Sequence, residues 1–380
     1  MIDVADVVRR FRPAYLDGHG ASMLPSHRRA LADIAACRTA ELGGHLWRCT
    51  ACSAEVYSYH SCRNRSCPKR HTDQTRHWLE ARSAEMLPTP HFHVTVTVPA
   101  ELRDVMRRHQ RDAYGLLMAA TAAAIIALAR DPRYVGGTVG ILAVLHTWTQ
   151  RLDYHPHVHC LVSGGGVSAD GSHWRPTVRT RFLVPVKALG KLVRGKMRAA
   201  IASKLPGTAV PAEIWRKPWV VHCVPWGEGE EAVLDYLARY VFRTAITNRR
   251  ITAIDDDTVT FQYKKRDGGA GQWRSCTMSG HEFLRRFCQH VLPKGFHKVR
   301  YYGLWHPSKR ALASRVRQML LLESKEPLPA EPIDSVVVAS PQATPPGACP
   351  HCGKPGLVLV RRLTPTRYLP PIRQSAPGPP

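Results

Sequence analysis

Residues 153–162 read DYHPHVHCLV, and the alternation in this stretch constrains the chain more than any other feature. His155, His157 and His159 occupy every second position, Val158 lies between the last two, and Leu161 and Val162 follow. Alternate side chains of a strand share one face, so His157 and His159 point one way and Val158 the other. HFHVTVTV (91–98) keeps the same period, and VGILAVLHTW (139–148) and WVVHCVPW (219–226) read as further buried strands. Residues 149–156 join 139–148 to the histidine strand, which predicts a hairpin.

Helical periodicity marks residues 1–36, 76–87, 101–130, 186–205, 230–246 and 280–293. ITAIDDDTVTFQYKK (251–265) reads as a hairpin turning at Asp255–Asp257. Hairpins among helices point to an α+β fold rather than a doubly wound sheet. Three regions follow: a helical and zinc-binding domain over 1–90, a main domain over 91–322, and a Pro-rich tail over 323–380 expected to be disordered. The tail holds a lone Cys349-Pro-His-Cys352-Gly, a remnant zinc half-site or a plain turn, with the turn favoured because only one pair is present.

Five of the eleven cysteines fall between Cys37 and Cys67, which points to metal rather than disulfides. Cys49-x-x-Cys52 has the spacing of a zinc knuckle, and Cys62 and Cys67 can supply the partner pair. Cys37 and His45 can begin a second site, with His71 closing the segment. Arg63, Arg65 and Lys69 are interleaved there and suit phosphate contact. The whole chain of 380 residues carries 54 Lys+Arg against 29 Asp+Glu, a net charge of +25. That surplus favours a polyanion, with nucleic acid the default and an anionic membrane surface the other option. No run of about 18 apolar residues is evident, so no membrane span is expected; Leu116–Leu128 reads as a buried helix. MIDVADVVRRFRP lacks a signal-peptide core, so a cytoplasmic protein is expected.

His157 and His159 on one rigid strand can chelate a divalent ion and leave positions open for a phosphate oxygen. His146 and Gln150, from the preceding strand and turn, are the candidate third ligands. A nucleophile is offered by Tyr236 and Tyr240, whose i, i+4 spacing stacks both phenols on one helical face. A phenol with a pKa near 10 attacks poorly unless the phosphate is polarised. Arg239, Arg243, Arg249 and Arg250 add phosphate-binding charge, while an aromatic stripe packed on the core is the plainer alternative for the tyrosines. GKLVRGKM (190–197) mimics a nucleotide-binding loop, but Met197 stands where a Ser or Thr would reach Mg²⁺.

Taken together, GGHLWRCTACSAEVYSYHSCRNRSCPKRH, HFHVTVTVP, VLHTWTQRLDYHPHVHCLVSGGG, YLARYVFRTAITNRRI and VLPKGFHKVRYYGL resemble the two-tyrosine HUH transposases of the insertion-sequence-91 family, over about residues 10–320. The resemblance implies an HUH endonuclease core, an antiparallel sheet with packed helices, preceded by a small zinc-binding domain. It implies that His157 and His159 bind Mg²⁺ or Mn²⁺ and that Tyr236 and Tyr240 are the nucleophiles. The reaction so implied nicks and joins single-stranded DNA at element ends through 5′-phosphotyrosine intermediates, uses a target DNA, and relies on a host helicase at the nucleoid. One departure stands out. The family's zinc segment closes with Cys-Pro-x-Cys, whereas this chain reads Cys67-Pro68-Lys69-Arg70, so either His71 substitutes or one zinc site is incomplete. Two other readings share some of these features: a replication initiator or relaxase of the same superfamily, and a non-catalytic zinc DNA-binding regulator.

Overall fold

A computed structural model of the chain describes residues 2–70, 86–228, 233, 236–241, 243–265, 271–323 and 347–366. The N-terminal part comprises α1 (Val4–His19), α2 (Pro25–Ala35), β1 (Gly44–Cys49) and β2 (Glu55–Tyr59). Asp3 starts α1 by accepting from the N–H groups of Ala5 and Asp6, and the Asp6 carboxylate takes the Asp3 N–H in return at 2.9 Å. Val4, Val7, Val8, Phe11 and Tyr15 recur at helical spacing and bury one side of α1.

The central sheet is built from β3 (Pro90–Thr97), β4 (Thr138–Trp148), β5 (Tyr154–Val167), β6 (Trp174–Pro176) and β7 (Val220–Glu228), with β8 to β10 elsewhere and β11 (Val299–Gly303) at its edge. Its order is β11–β4–β5–β3–β7, all neighbours antiparallel, with β6 pairing β5 beside that path. The fold is α+β as expected, and β4 and β5 pair as the expected hairpin.

Period-two alternation puts different chemistry on the two sides. Phe92, Val94 and Val96 of β3, with Val158, Cys160 and Val162 of β5, join the largest apolar core. That core is closed by α3 (Arg103–Arg108), α4 (Gln110–Ala129) and α5 (Val186–Lys204), the last of these absorbing the loop lookalike into a helix. By length and composition α4 could cross a membrane, but its Tyr114, Leu117, Met118 and Ile125 are buried against the sheet. On the opposite side Leu142, Val144 and Leu161 pack with Tyr236, Leu237 and Trp305. Gly140 permits this: a Cβ there would lie 2.6 Å from the Trp305 ring.

A second core ties the N-terminal helices to residues that follow position 250. It unites α1, α2 and Cys37, Cys62 and Cys67 with residues of β8 (Ile251–Ile254), β9 (Thr258–Lys265), β10 (Gln272–Ser279) and α6 (Gly280–Cys288). The apolar stripe of α1 is covered by Phe261, Phe283 and Phe287, supplied more than two hundred residues later. The hairpin expected over 251–265 is β8–β9.

After α7 (Arg310–Glu323), residues 347–366 are folded, which corrects the expectation of a disordered tail for that stretch. The reason is the run LVLVRRL, β12 (Leu357–Leu363), which pairs antiparallel with β1 and completes the three-stranded order β12–β1–β2. The helix expected over 76–87 lies almost wholly outside the described residues. Within 230–246 the described residues include a π-helical turn, Leu237–Val241, rather than a regular α-helix throughout.

Candidate functional site

The β4–β5 register sets His146 opposite His157 and Val144 opposite His159. Three imidazoles thereby form one patch, with ring centroids 4.7 Å (His146–His159), 4.8 Å (His157–His159) and 5.6 Å (His146–His157) apart. One ring nitrogen of each lies within 4.8 Å of the other two. Each ring also has one nitrogen engaged elsewhere. His157 Nδ1–H donates to the His155 carbonyl at 2.6 Å, and His146 Nε2–H donates to the Tyr240 carbonyl at 2.8 Å. His159 Nδ1 lies 2.9 Å from His93 Nε2 and 3.2 Å from Thr95 Oγ1. A carbonyl can only accept, so these bonds fix the tautomers and leave Nε2 of His157 and Nδ1 of His146 with lone pairs. A proton on His159 Nδ1, donated to His93, does the same for His159 Nε2.

Burial keeps the imidazoles neutral, the form that binds metal. It lowers His157 to about 4 and His146 and His159 well below their ordinary value, with neighbouring imidazoles adding to the effect. Three neutral donors on one face, each with its other nitrogen held, fit a divalent ion. Of the two third-ligand candidates, His146 is in this patch. Gln150 is not: its Oε1 accepts the Lys264 N–H at 2.7 Å and so faces β9.

The two tyrosines are not equivalent. The Tyr240 ring lies 4.2 Å from His159 and 4.8 Å from His93, and it is partly exposed. Tyr236 is fully buried, 4.8 Å from Tyr240 and 5.8 Å from both His93 and Trp226. Burial pushes its phenol well above 10, and among the described residues its hydroxyl has no well-formed hydrogen bond, only the Leu161 backbone nearby. Tyr240 lies within the π turn and Tyr236 just before it; such one-residue widenings recur at functional sites. His93, absent from the sequence reading, touches every member of this group except His146 and His157. Its signal was the matching parity of two histidine-bearing strands, useful only once their register is known.

The candidate basic residues divide. Arg63, Arg239, Arg243 and Arg249 are exposed, and the Arg239 guanidinium sits 5.6 Å from the Trp226 ring centre. Arg243 and Lys298 border a cavity of about 30 Å³ beside Trp148, whose ring stacks on His146 at 4.5 Å. The other three are committed elsewhere. Arg65 donates to the carbonyls of Leu292 at 2.8 Å and Pro293 at 2.6 Å. Lys69 pairs with Asp3. Arg250 donates to the Gln262 carbonyl at 2.7 Å and to that of Gln150, and its burial lowers it to about 10.

The cysteines group differently from expectation. Cys49 and Cys52 meet Cys349 and Cys352, not Cys62 and Cys67. Cys62 and Cys67 instead join Cys37, with Cys37 and Cys67 sulfurs 3.7 Å apart and the Cys62 N–H donating to Cys37 at 3.4 Å. The cause is the chain's path: beyond β2 it returns to the second core, whereas Cys49 sits at the far end of β1. Hydrogen bonds from Cys62 and Cys67 hold the Cys37 thiol far below its ordinary value, and the same contact raises Cys67. His45 joins neither thiol group; its ring lies 4.9 Å from His60 and 5.8 Å from Trp47. His71 lies outside the described residues. Cys349 and Cys352, whose isolated pair favours a plain turn over a zinc half-site in the sequence, are placed by the fold beside Cys49 and Cys52.

Comparison with known proteins gives two family models. One described as "Transposase zinc-binding domain" matches residues 7–98, and one described as "Putative transposase" matches 140–312. The chain is 38% identical over 342 residues to "Putative transposase y4qJ" of Sinorhizobium fredii, covering 85% of this chain and 83% of that protein. It is 26% identical over 284 residues to "Transposase for insertion sequence element IS801" of Pseudomonas savastanoi pv. phaseolicola, covering 70% and 67%. No solved structure matches.

Proposed function

The chain belongs to the insertion-sequence-91 family of transposases and carries that family's zinc-binding domain, and from this we propose that it nicks and rejoins single-stranded DNA at element ends by the rolling-circle route. The observation that carries this reading is the Tyr240 ring lying 4.2 Å from His159, beside three neutral imidazoles. His146, His157 and His159 would hold Mg²⁺ or Mn²⁺. When bound, the ion supplies Lewis-acid polarisation of a phosphate oxygen.

Tyr240 Oη attacks the scissile phosphorus. The bond from phosphorus to the 3′ oxygen breaks, and a 5′-phosphotyrosine and a free 3′-hydroxyl result. The phenol loses one proton and the leaving oxygen gains one. One phosphoester is exchanged for another, so no nucleotide is consumed in joining. Tyr236 acts as the second nucleophile, and it must first leave its buried position. His93 and Thr95 orient His159. Arg63, Arg239, Arg243 and Arg249, with Lys298, hold the DNA backbone of element ends and target. Strand separation is left to a host helicase, and the protein works at the nucleoid.

The test is incubation of the full chain with a labelled single-stranded element end and Mg²⁺. A covalent protein–DNA adduct is expected, strongly reduced by Tyr240→Phe. An adduct that persists in the Tyr236→Phe/Tyr240→Phe double variant would place the nucleophile elsewhere and sink the reading.

A further inference from the structure

Residues 347–366 fall outside both matched family regions, 7–98 and 140–312, yet they bring two thiols to the N-terminal ribbon. The Cys49 and Cys352 sulfurs are 3.7 Å apart, and so are those of Cys52 and Cys349. All four lie within 4.8 Å of one another. Four thiolates about 2.3 Å from a tetrahedral zinc sit roughly 3.8 Å from each other. The spacing is that of a closed zinc site and far too long for disulfides, whose sulfurs are about 2.05 Å apart.

The backbone is built to the same end twice over. In the first knuckle the Ser53 N–H donates to the Cys49 carbonyl at 2.9 Å, and the Cys49 N–H donates to the Ala54 carbonyl at 3.0 Å. In the second the Gly353 N–H donates to the Cys349 carbonyl at 2.8 Å, and the Cys349 N–H to the Lys354 carbonyl at 2.9 Å. The residue after the second cysteine is left-handed in both, Ser53 at φ 58° and Gly353 at φ 71°. A serine in that region is strained, so the loop around Cys52 holds its shape against a local cost. Two equivalent Cys-x-x-Cys loops thus face each other. Pairing continues behind them: the Thr50 N–H donates to the Gly356 carbonyl at 3.0 Å, and Cys49 lies opposite Leu357. Gly356, at φ 110°, has no room for a side chain, since a Cβ would lie 2.5 Å from Thr50 Oγ1.

We propose that Cys349 and Cys352 complete a four-thiolate zinc site with Cys49 and Cys52, so that the metal clasps the C-terminal segment onto the N-terminal ribbon. The site is structural: all four positions are filled by protein, and none is left for substrate. It stands apart from the histidine patch and does not depend on the strand-transfer chemistry.

The experiment is thiol footprinting of the full chain purified with zinc. Cys52 and Cys352 are exposed, so as free thiols they would alkylate quickly. Zinc protects them: both are expected to resist iodoacetamide until a chelator is added, while Cys223 and Cys276 react alike with and without it. In the Cys349→Ser/Cys352→Ser variant, zinc content is expected to fall by about one per chain and Cys52 to become reactive. A Cys276→Ser control keeps its zinc. Rapid alkylation of Cys352 in the zinc-loaded wild-type chain overturns the proposal, and so does a non-reduced mass showing disulfides among these four residues. If the double variant does not fold, the wild-type footprint decides alone.

Discussion

The histidine patch and the four-thiol clasp both gather metal-binding side chains, but their support differs. His146, His157 and His159 sit on two adjacent interior strands of a sheet, with an apolar core on each side. The clasp is backed by a cluster of Trp47, Cys49, Cys349 and Leu357, two of which are ligand candidates. On the proposed reading the protein would position the metal in the first case, and the metal would position the protein in the second. A site that does chemistry has to exist before its ion and substrate arrive; a site that replaces a core does not.

The largest effect that sharpens this contrast is expected from removing zinc. Structural zinc contributes on the order of 10 kcal/mol of apparent binding energy in small domains. Chelation should therefore bring the amides of β1 and β12 to near-unfolded hydrogen exchange, while β4 and β5 stay protected. Loss of protection in β4 and β5 as well would erase the distinction. Next comes His159→Ala. Losing a polarising ion at a phosphate is worth about 4 kcal/mol, or a thousandfold in cleavage rate. DNA affinity and melting temperature should move little, because the sheet carries the fold; a collapse of melting temperature would make the patch structural like the clasp.

Acid should weaken both regions for different reasons. His290 is buried between Thr147 and the Leu152 carbonyl, and burial lowers it to about 4 from 6.5. A depressed imidazole stabilises the fold above pH 6.5, and that contribution is lost as pH falls towards 4, on the order of 3 kcal/mol in all. His290→Gln should reduce the slope of melting temperature against pH in that window, the remaining slope coming from His157 and the other depressed imidazoles. Added zinc should rescue the ribbon at mildly acid pH and leave the His290 contribution unchanged. The smallest effect is Tyr236→Phe. Its hydroxyl is buried without a well-formed hydrogen bond among the described residues, so removing it should raise stability by about 1 kcal/mol in chemical denaturation. A loss of stability instead would show that the hydroxyl is satisfied.

Local periodicity made the sheet legible. The strands over 91–98, 139–148 and 219–226 and the histidine strand all lie in one sheet, and His157 and His159 share a face as parity required. What escaped depends on position across the fold. Cys349 follows Cys52 by nearly three hundred residues, and no local pattern joins them. His93 needed the β3–β5 register, in which Thr95 opposes His159. Charge was visible but its use was not: Arg65 and Arg250 look like phosphate ligands in sequence, and backbone carbonyls take their N–H groups. The π turn carries no compositional mark, since Leu237–Val241 reads as ordinary amphipathic helix.

The strand order β12–β1–β2 has a consequence for the growing chain. β1 leaves the ribosome long before β12, so one of its edges stays bare through most of synthesis, beside only two of four thiols. A bare edge is a template for another chain, and two half-sites can share one ion. A product stopping at residue 323 is therefore expected to dimerise through zinc and β1, a species that chelator should dissolve in size-exclusion chromatography. If such a product stays monomeric with zinc present, β1 tolerates its open edge unaided.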